Sequence, residues 1–139
     1  MDMEQIRQFF IANDTFARYL GIELQELAPG YARAVMPIKH ELTNGVNIAH
    51  GGAIFSLADL VLGAAANSHG QLALAISSSI SYIKAGKGAY LTAEATEISL
   101  GPKLATYAIE VKDDFGEVIA FLQGTVYRKN RPILDSVER

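Results

Sequence analysis

The stretch HGGAIFSLADLVLGAAANS, His50 to Ser68, carries one charged residue beyond its histidine, Asp59. A carboxylate among aliphatic and small side chains is costly to bury unless it is paired, hydrogen-bonded or neutralised. In reach of a substrate, such a group can take a proton from water. At the start of the same stretch stand Gly51 and Gly52. The first N–H groups of a helix have no partner inside it and carry the positive end of its dipole. With glycine there a ligand can come close, and fixed N–H donors can stabilise charge growing on a carbonyl oxygen. Eight residues at 1.5 Å rise separate Gly51 from Asp59 by ~12 Å, too far for both to serve one carbonyl. Two such helices packed antiparallel about a two-fold axis would bring the aspartate of one to the glycines of the other. The expectation is an obligate dimer with shared sites. Taken singly, each feature has a plainer reading: Asp59 as a structural carboxylate, Gly51–Gly52 as a tight turn into a helix.

The segments around this stretch must position it. Residues 3–20 place Ile6, Phe9, Phe10, Phe16, Ala17 and Leu20 at helical spacing, with a break near Asn13–Asp14 and a stop at Gly21. Residues 22–28 and 31–39 alternate about a Pro29–Gly30 turn, which predicts a hairpin. Residues 40–50 read as a polar loop and 51–66 as a helix apolar nearly all round. Residues 72–84, 89–100, 103–113 and 117–128 read as four strands with short turns, hence antiparallel. The fold class is therefore α+β: an antiparallel sheet curved around a long central helix, with an extra N-terminal helix over residues 1–20. One domain over residues 1–139 is expected, with 129–139 a loose tail.

Composition narrows the function. Twelve basic against fifteen acidic residues leave a net charge of −3 and no basic face for nucleic acid. No cysteine is present, which removes thiolate metal sites, disulfides and a cysteine nucleophile. His40, His50 and His69 lack metal-ligand spacing, and His40 and His69 are expected on the surface. The apolar runs within 51–66 are too short to span a bilayer, and the N-terminus lacks a signal-peptide pattern, so a cytoplasmic, membrane-free protein is expected. There is no G-x-S-x-G elbow, no phosphate loop and no dinucleotide fingerprint.

The run N-G-x4-H-G-G-x2-F-x-L-A-D-x7-N-S-x-G, from Asn44 to Gly70, resembles the hotdog-fold acyl-CoA thioesterases of the phenylacetic-acid-degradation (PaaI-like) type. The resemblance implies a hydrolase that releases a carboxylic acid and free coenzyme A, with the coenzyme belonging to the substrate and no other cofactor or metal needed. It implies Asp59 as general base or nucleophile, the Gly51 N–H as oxyanion donor, Asn44 as a positioning group, and His50 as the residue that orients the thioester. It also implies homodimers with shared sites, often paired into tetramers, and a serine on the strand after the helix. Ser77 is favoured, since alternation places Ser77, Ser79 and Ser81 on one face.

Gly52, Phe55, Leu62, Tyr82 and Ile83 are candidates to line the acyl pocket, and Lys84 to meet a phosphate of the coenzyme. A solvated surface charge is the alternative for Lys84, and a polar strand face for the serines. The rival functions are a hotdog hydratase or dehydratase and a non-catalytic acyl-CoA-binding protein.

Overall fold

The computed structural model describes residues 2–135. The N-terminal helical segment is two helices. The first, α1, spans Met3–Asn13 and opens on a capping box: the Asp2 side chain accepts from the Gln5 N–H while the Gln5 side chain accepts from the Asp2 N–H. The break falls at Asp14, which ends α1 and starts α2, Thr15–Leu20, by accepting from the Ala17 N–H at 3.1 Å. Gly21 closes α2 at φ 80°, a left-handed conformation that disfavours residues with a Cβ.

Strands β1 (Glu23–Ala28) and β2 (Tyr31–Pro37) form the expected hairpin. The central helix α3 runs Gly51–Asn67. Strands β3 (Gln71–Tyr82), β4 (Tyr90–Leu100), β5 (Leu104–Asp113) and β6 (Val118–Pro132) come after it. All pairings are antiparallel, in the order β1-β2-β4-β5-β6-β3. The crossover matters: β3 comes directly after α3 in sequence but lies at the far edge of the sheet, paired only with β6.

The sheet curves around α3. Where the two meet, β2 and β4 present Ala32 opposite Ala95 and Ala34 opposite Ala93, all fully buried. Small side chains let the helix sit close to the sheet, and larger ones, Met36, Tyr107, Ile109, Val111 and Leu122, fill the flanks. Leu62 of α3 is also fully buried, and a Cβ added to Gly124 of β6 would lie 2.7 Å from its Cδ2. Gly124→Val is therefore expected to lower stability by about 1–3 kcal/mol through overpacking, measured by urea denaturation.

Two expectations need correction. The chain beyond residue 128 is no loose end over 129–135: β6 continues to Pro132, and a short 3-10 turn buries Ile133 against Ile6 and Leu72. The reason is the pairing of Gln71 with Pro132, which carries the sheet past the point where the apolar alternation ends. Residues 136–139 lie outside the described residues. His69, expected on the surface, is half-buried with Nε2 2.8 Å from Glu97, which also accepts from the hydroxyl of the buried Tyr107.

Candidate active site

Eleven of the seventeen residues of α3 are buried. The side left open carries Gly52, Ser56, Asp59 and Gly63, at offsets of four, seven and eleven, which is one face of a helix. Asp59 thus sits on the single uncovered stripe of an otherwise enclosed helix. Its carboxylate has no hydrogen-bond partner among the described residues. It faces a recess of about 230 Å³ shared with Asp14, Phe16, Ala17, Phe55 and Leu60. Desolvation by these neighbours raises its pKa above the ordinary carboxylate value, and the charge of Asp14 pushes the same way. Asp14 is a neighbour that the sequence pattern did not single out; its helix-breaking position was the only sign of it.

The start of α3 is built by the preceding loop. The Asn44 Oδ1 accepts from the N–H groups of Val46 and Ile48, at 3.0 and 3.3 Å, and the His50 N–H donates to Leu42 at 2.7 Å. The His50 Nδ1 then accepts from the Gly52 N–H at 2.8 Å, so in this arrangement Nδ1 carries no proton. The N–H groups of Ala53 and Ile54 donate to the His50 carbonyl. What remains in the first turn is the Gly51 N–H, which donates to nothing among the described residues. The Tyr82 hydroxyl lies beside it, donating to the Gly51 carbonyl at 3.1 Å.

At the far end of α3, Asn67 bonds both the carbonyl and the N–H of Ala73, and Ser68 accepts from the Gly30 N–H at 2.8 Å. These two residues lock the helix to the sheet.

The sequence candidates separate into groups. Asp59 and Phe55 share one recess, while His50, Gly52 and Ser56 share another; Phe16 and Ser56 line both. Gly51 lines neither of them. Asn44 stands in the loop, its Oδ1 committed to the turn. Leu62 is a correction: it packs on Gly124 inside the core, because its helix position faces the sheet and away from the open stripe.

Ser77 is a second correction. Gly124 faces α3, and Ser78 is its partner across the β3–β6 ladder, so Ser78 faces the helix. Ser77 pairs with Thr125 and points to the other side of the sheet. Tyr82 shares the helix-facing side, whereas Ile83 continues the chain just past β3 with its side chain exposed. Lys84 is ion-paired with Glu117 at 3.0 Å on the surface.

Among the described residues no group of three or more His, Asp or Glu side chains is placed to hold a metal. Nor is any helix there long and apolar enough to cross a membrane.

An antiparallel sheet wrapped around one long helix, with an aspartate on the helix's open stripe and a free N–H at its start, is the hotdog architecture with a candidate thioester site. The family model of the thioesterase superfamily matches residues 46–120. A putative esterase of Archaeoglobus fulgidus is 47% identical over 92% of this chain and 84% of its own length. The acyl-coenzyme A thioesterase PaaI of Escherichia coli is 33% identical over 84% of each chain. The solved structure of the E. coli PaaI protein from the phenylacetic acid degradation operon superposes with a TM-score of 0.90, at 30% identity, covering 94% of this chain and 95% of that one. The chain belongs to the thioesterase superfamily, in its PaaI-like branch, and is a thioester hydrolase.

Proposed function

We propose that the protein hydrolyses acyl-CoA thioesters in a site shared by two copies of the chain. The observation that carries this reading is the open stripe of α3 lying next to an unpaired sheet edge. Strand β3 is paired on one side only, and Leu74 and Ile76 on it are 51% and 60% exposed. A long apolar edge is a template for pairing with another strand. A further recess is lined by Asp59, Gly63, Leu74 and Ala75 together, so the edge and the stripe are contiguous. A second chain joined along β3 would cover the stripe and could bring its own Gly51 toward Asp59. This supplies what the ~12 Å separation within one helix denies. The acyl-CoA character of the substrate rests on the likeness to the E. coli acyl-coenzyme A thioesterase.

In this reading the Asp59 carboxylate takes a proton from water as the water oxygen attacks the thioester carbon. Negative charge moves onto the carbonyl oxygen, where the Gly51 N–H of the other chain donates to it, aided by the dipole of α3. The tetrahedral species collapses with cleavage of the C–S bond. The proton held by Asp59 goes to the departing thiolate, leaving free coenzyme A and the carboxylic acid. His50 acts by holding the first turn open, since its ring occupies the Gly52 N–H and leaves that of Gly51 free. Asn44 acts through the loop that aims this turn, and Ser78 is the β3 serine on the helix side.

Release of free thiol from acetyl-, octanoyl- and phenylacetyl-CoA tests the reading. Turnover of any of them supports it. Hydration of crotonyl-CoA without thiol release would replace it with the hydratase function, and tight acyl-CoA binding without either reaction would make the protein a binding module.

The pH profile is a further check. If ionised Asp59 is the base, kcat/KM falls as pH drops through its raised pKa. Asp14→Asn removes one of the two causes of that rise, and asparagine still caps α2. The acid limb of the variant is expected at lower pH than that of the wild type, though still above an ordinary carboxylate, because burial is the larger cause.

A further inference from the structure

Beside the Asp59 recess lies a second cavity, of about 280 Å³, between the N-terminal helices, β1 and α3. Its apolar wall is Phe10, Ile11, Ala17, Ile22, Leu24 and Leu60. Four residues, Asp14, Ala17, Ile22 and Leu60, line both spaces. These shared side chains set the two spaces next to each other. We infer that a throat at these four residues leads from the Asp59 recess into this chamber, that the chamber receives the acyl group, and that the enzyme is built for apolar acyl chains of medium length, with Ala17 as the throat residue. The inference rests on the thioesterase reading of Asp59 given above.

Three features support it. The chamber shares four wall residues with the recess that Asp59 lines, so a thioester held at Asp59 would have its acyl carbons at the throat. At about 30 Å³ for each water-sized group, the chamber takes roughly nine of them, the size of an acyl group of about six to ten carbons and far more than acetyl.

The rim, finally, favours an uncharged occupant. Arg7 and Arg18 are matched there by Asp14 and Glu23. Arg7 is spent on the Leu24 carbonyl and Glu4, and Arg18 on the Ala12 carbonyl. A straight alkyl chain and a ring-terminated one share this chemistry and are separated by a substrate panel.

The test uses Ile11→Trp. Ile11 lines the chamber but not the Asp59 recess, and it is 43% exposed on α1, so a larger side chain fills the chamber without overpacking the core. Ala17→Leu, at the throat, is the companion variant. Hydrolysis of acetyl-, hexanoyl-, octanoyl- and phenylacetyl-CoA is measured together with binding of the non-hydrolysable thioethers ethyl-CoA and octyl-CoA.

In the wild type, octanoyl- or phenylacetyl-CoA should exceed acetyl-CoA at least 100-fold in kcat/KM, since a single methylene in an apolar pocket is worth about 10–200-fold. Whichever of the two has the higher kcat/KM identifies the occupant. In Ile11→Trp that preference should fall at least 10-fold, and the ratio of octyl- to ethyl-CoA affinity should fall with it. An unchanged ratio in both variants, or a wild type indifferent to chain length, overturns the chamber assignment while leaving the hydrolase standing. Octyl-CoA binding that is lost in Ile11→Trp, in a protein that hydrolyses none of the panel, would keep the chamber and overturn the catalytic reading.

Discussion

Replacing Asp59 by asparagine is expected to lower kcat by ~10²–10⁴, the range for losing general-base catalysis, while raising the melting temperature at neutral pH. The two effects have one origin. Asp59 lies on the only open stripe of a helix whose other faces are buried, and its neighbours desolvate it without offering a hydrogen bond. A carboxylate whose folded pKa is raised costs stability when charged. That cost is absent below the ordinary carboxylate pKa and fully present above the raised one. Asparagine keeps the shape and removes the charge, so the stabilisation should be seen at pH 7 and vanish toward pH 3. Thermal melts at both pH values, beside steady-state thiol release, check the pair. Lost activity with lowered stability at pH 7 would instead mark Asp59 as a structural residue. Unchanged kcat would remove it from the chemistry altogether.

The second large effect concerns the sheet edge. Charging β3 with Leu74→Lys and Ile76→Lys should give a folded protein of the monomer mass, 15.0 kDa, with thiol release reduced at least 100-fold. Lysine is a residue that natural edge strands use to refuse a partner. Both positions are exposed in the single chain, so the fold should survive their replacement. The expected loss follows from the proposed shared site: within a lone chain the Gly51 N–H lies ~12 Å along the helix from Asp59, and a lost oxyanion donor is worth about 10²–10³ in kcat. Sedimentation equilibrium and activity measured on the same sample make the test. A monomer with wild-type turnover would show that each chain carries a complete site.

Much of this protein is written in local chemistry. The alternation of residues 31–37, the helical spacing of Ile6, Phe9, Phe10 and Ala17, and the glycine and asparagine turns fall where backbone preference and side-chain period agree, and the strands and helices stand there. The break at Asp14 was legible because an aspartate caps the helix that starts after it. Asp59 was conspicuous for a reason that holds before any fold is known: a lone charge in an apolar helix is expensive.

Other features depended on which residues the fold brings face to face. Which face of β3 looks at α3 is set by pairing with β6 and by the bulge between Ala75 and Ser77, so alternation within the strand grouped the serines without telling inside from outside. Leu62 was indistinguishable from a pocket residue until its helix position was seen to meet Gly124. The place of β3 at the sheet's edge results from a crossover between strands far apart in sequence, and so does the free edge beside Asp59. The apolar chamber is walled by α1, α2, β1 and α3 together. The sequence alone determined the residue types, their periods and the one costly carboxylate, because those arise from interactions within a few positions of chain. Long-range packing decided which of those side chains share a cavity, because a cavity belongs to the elements that enclose it and to none of them singly.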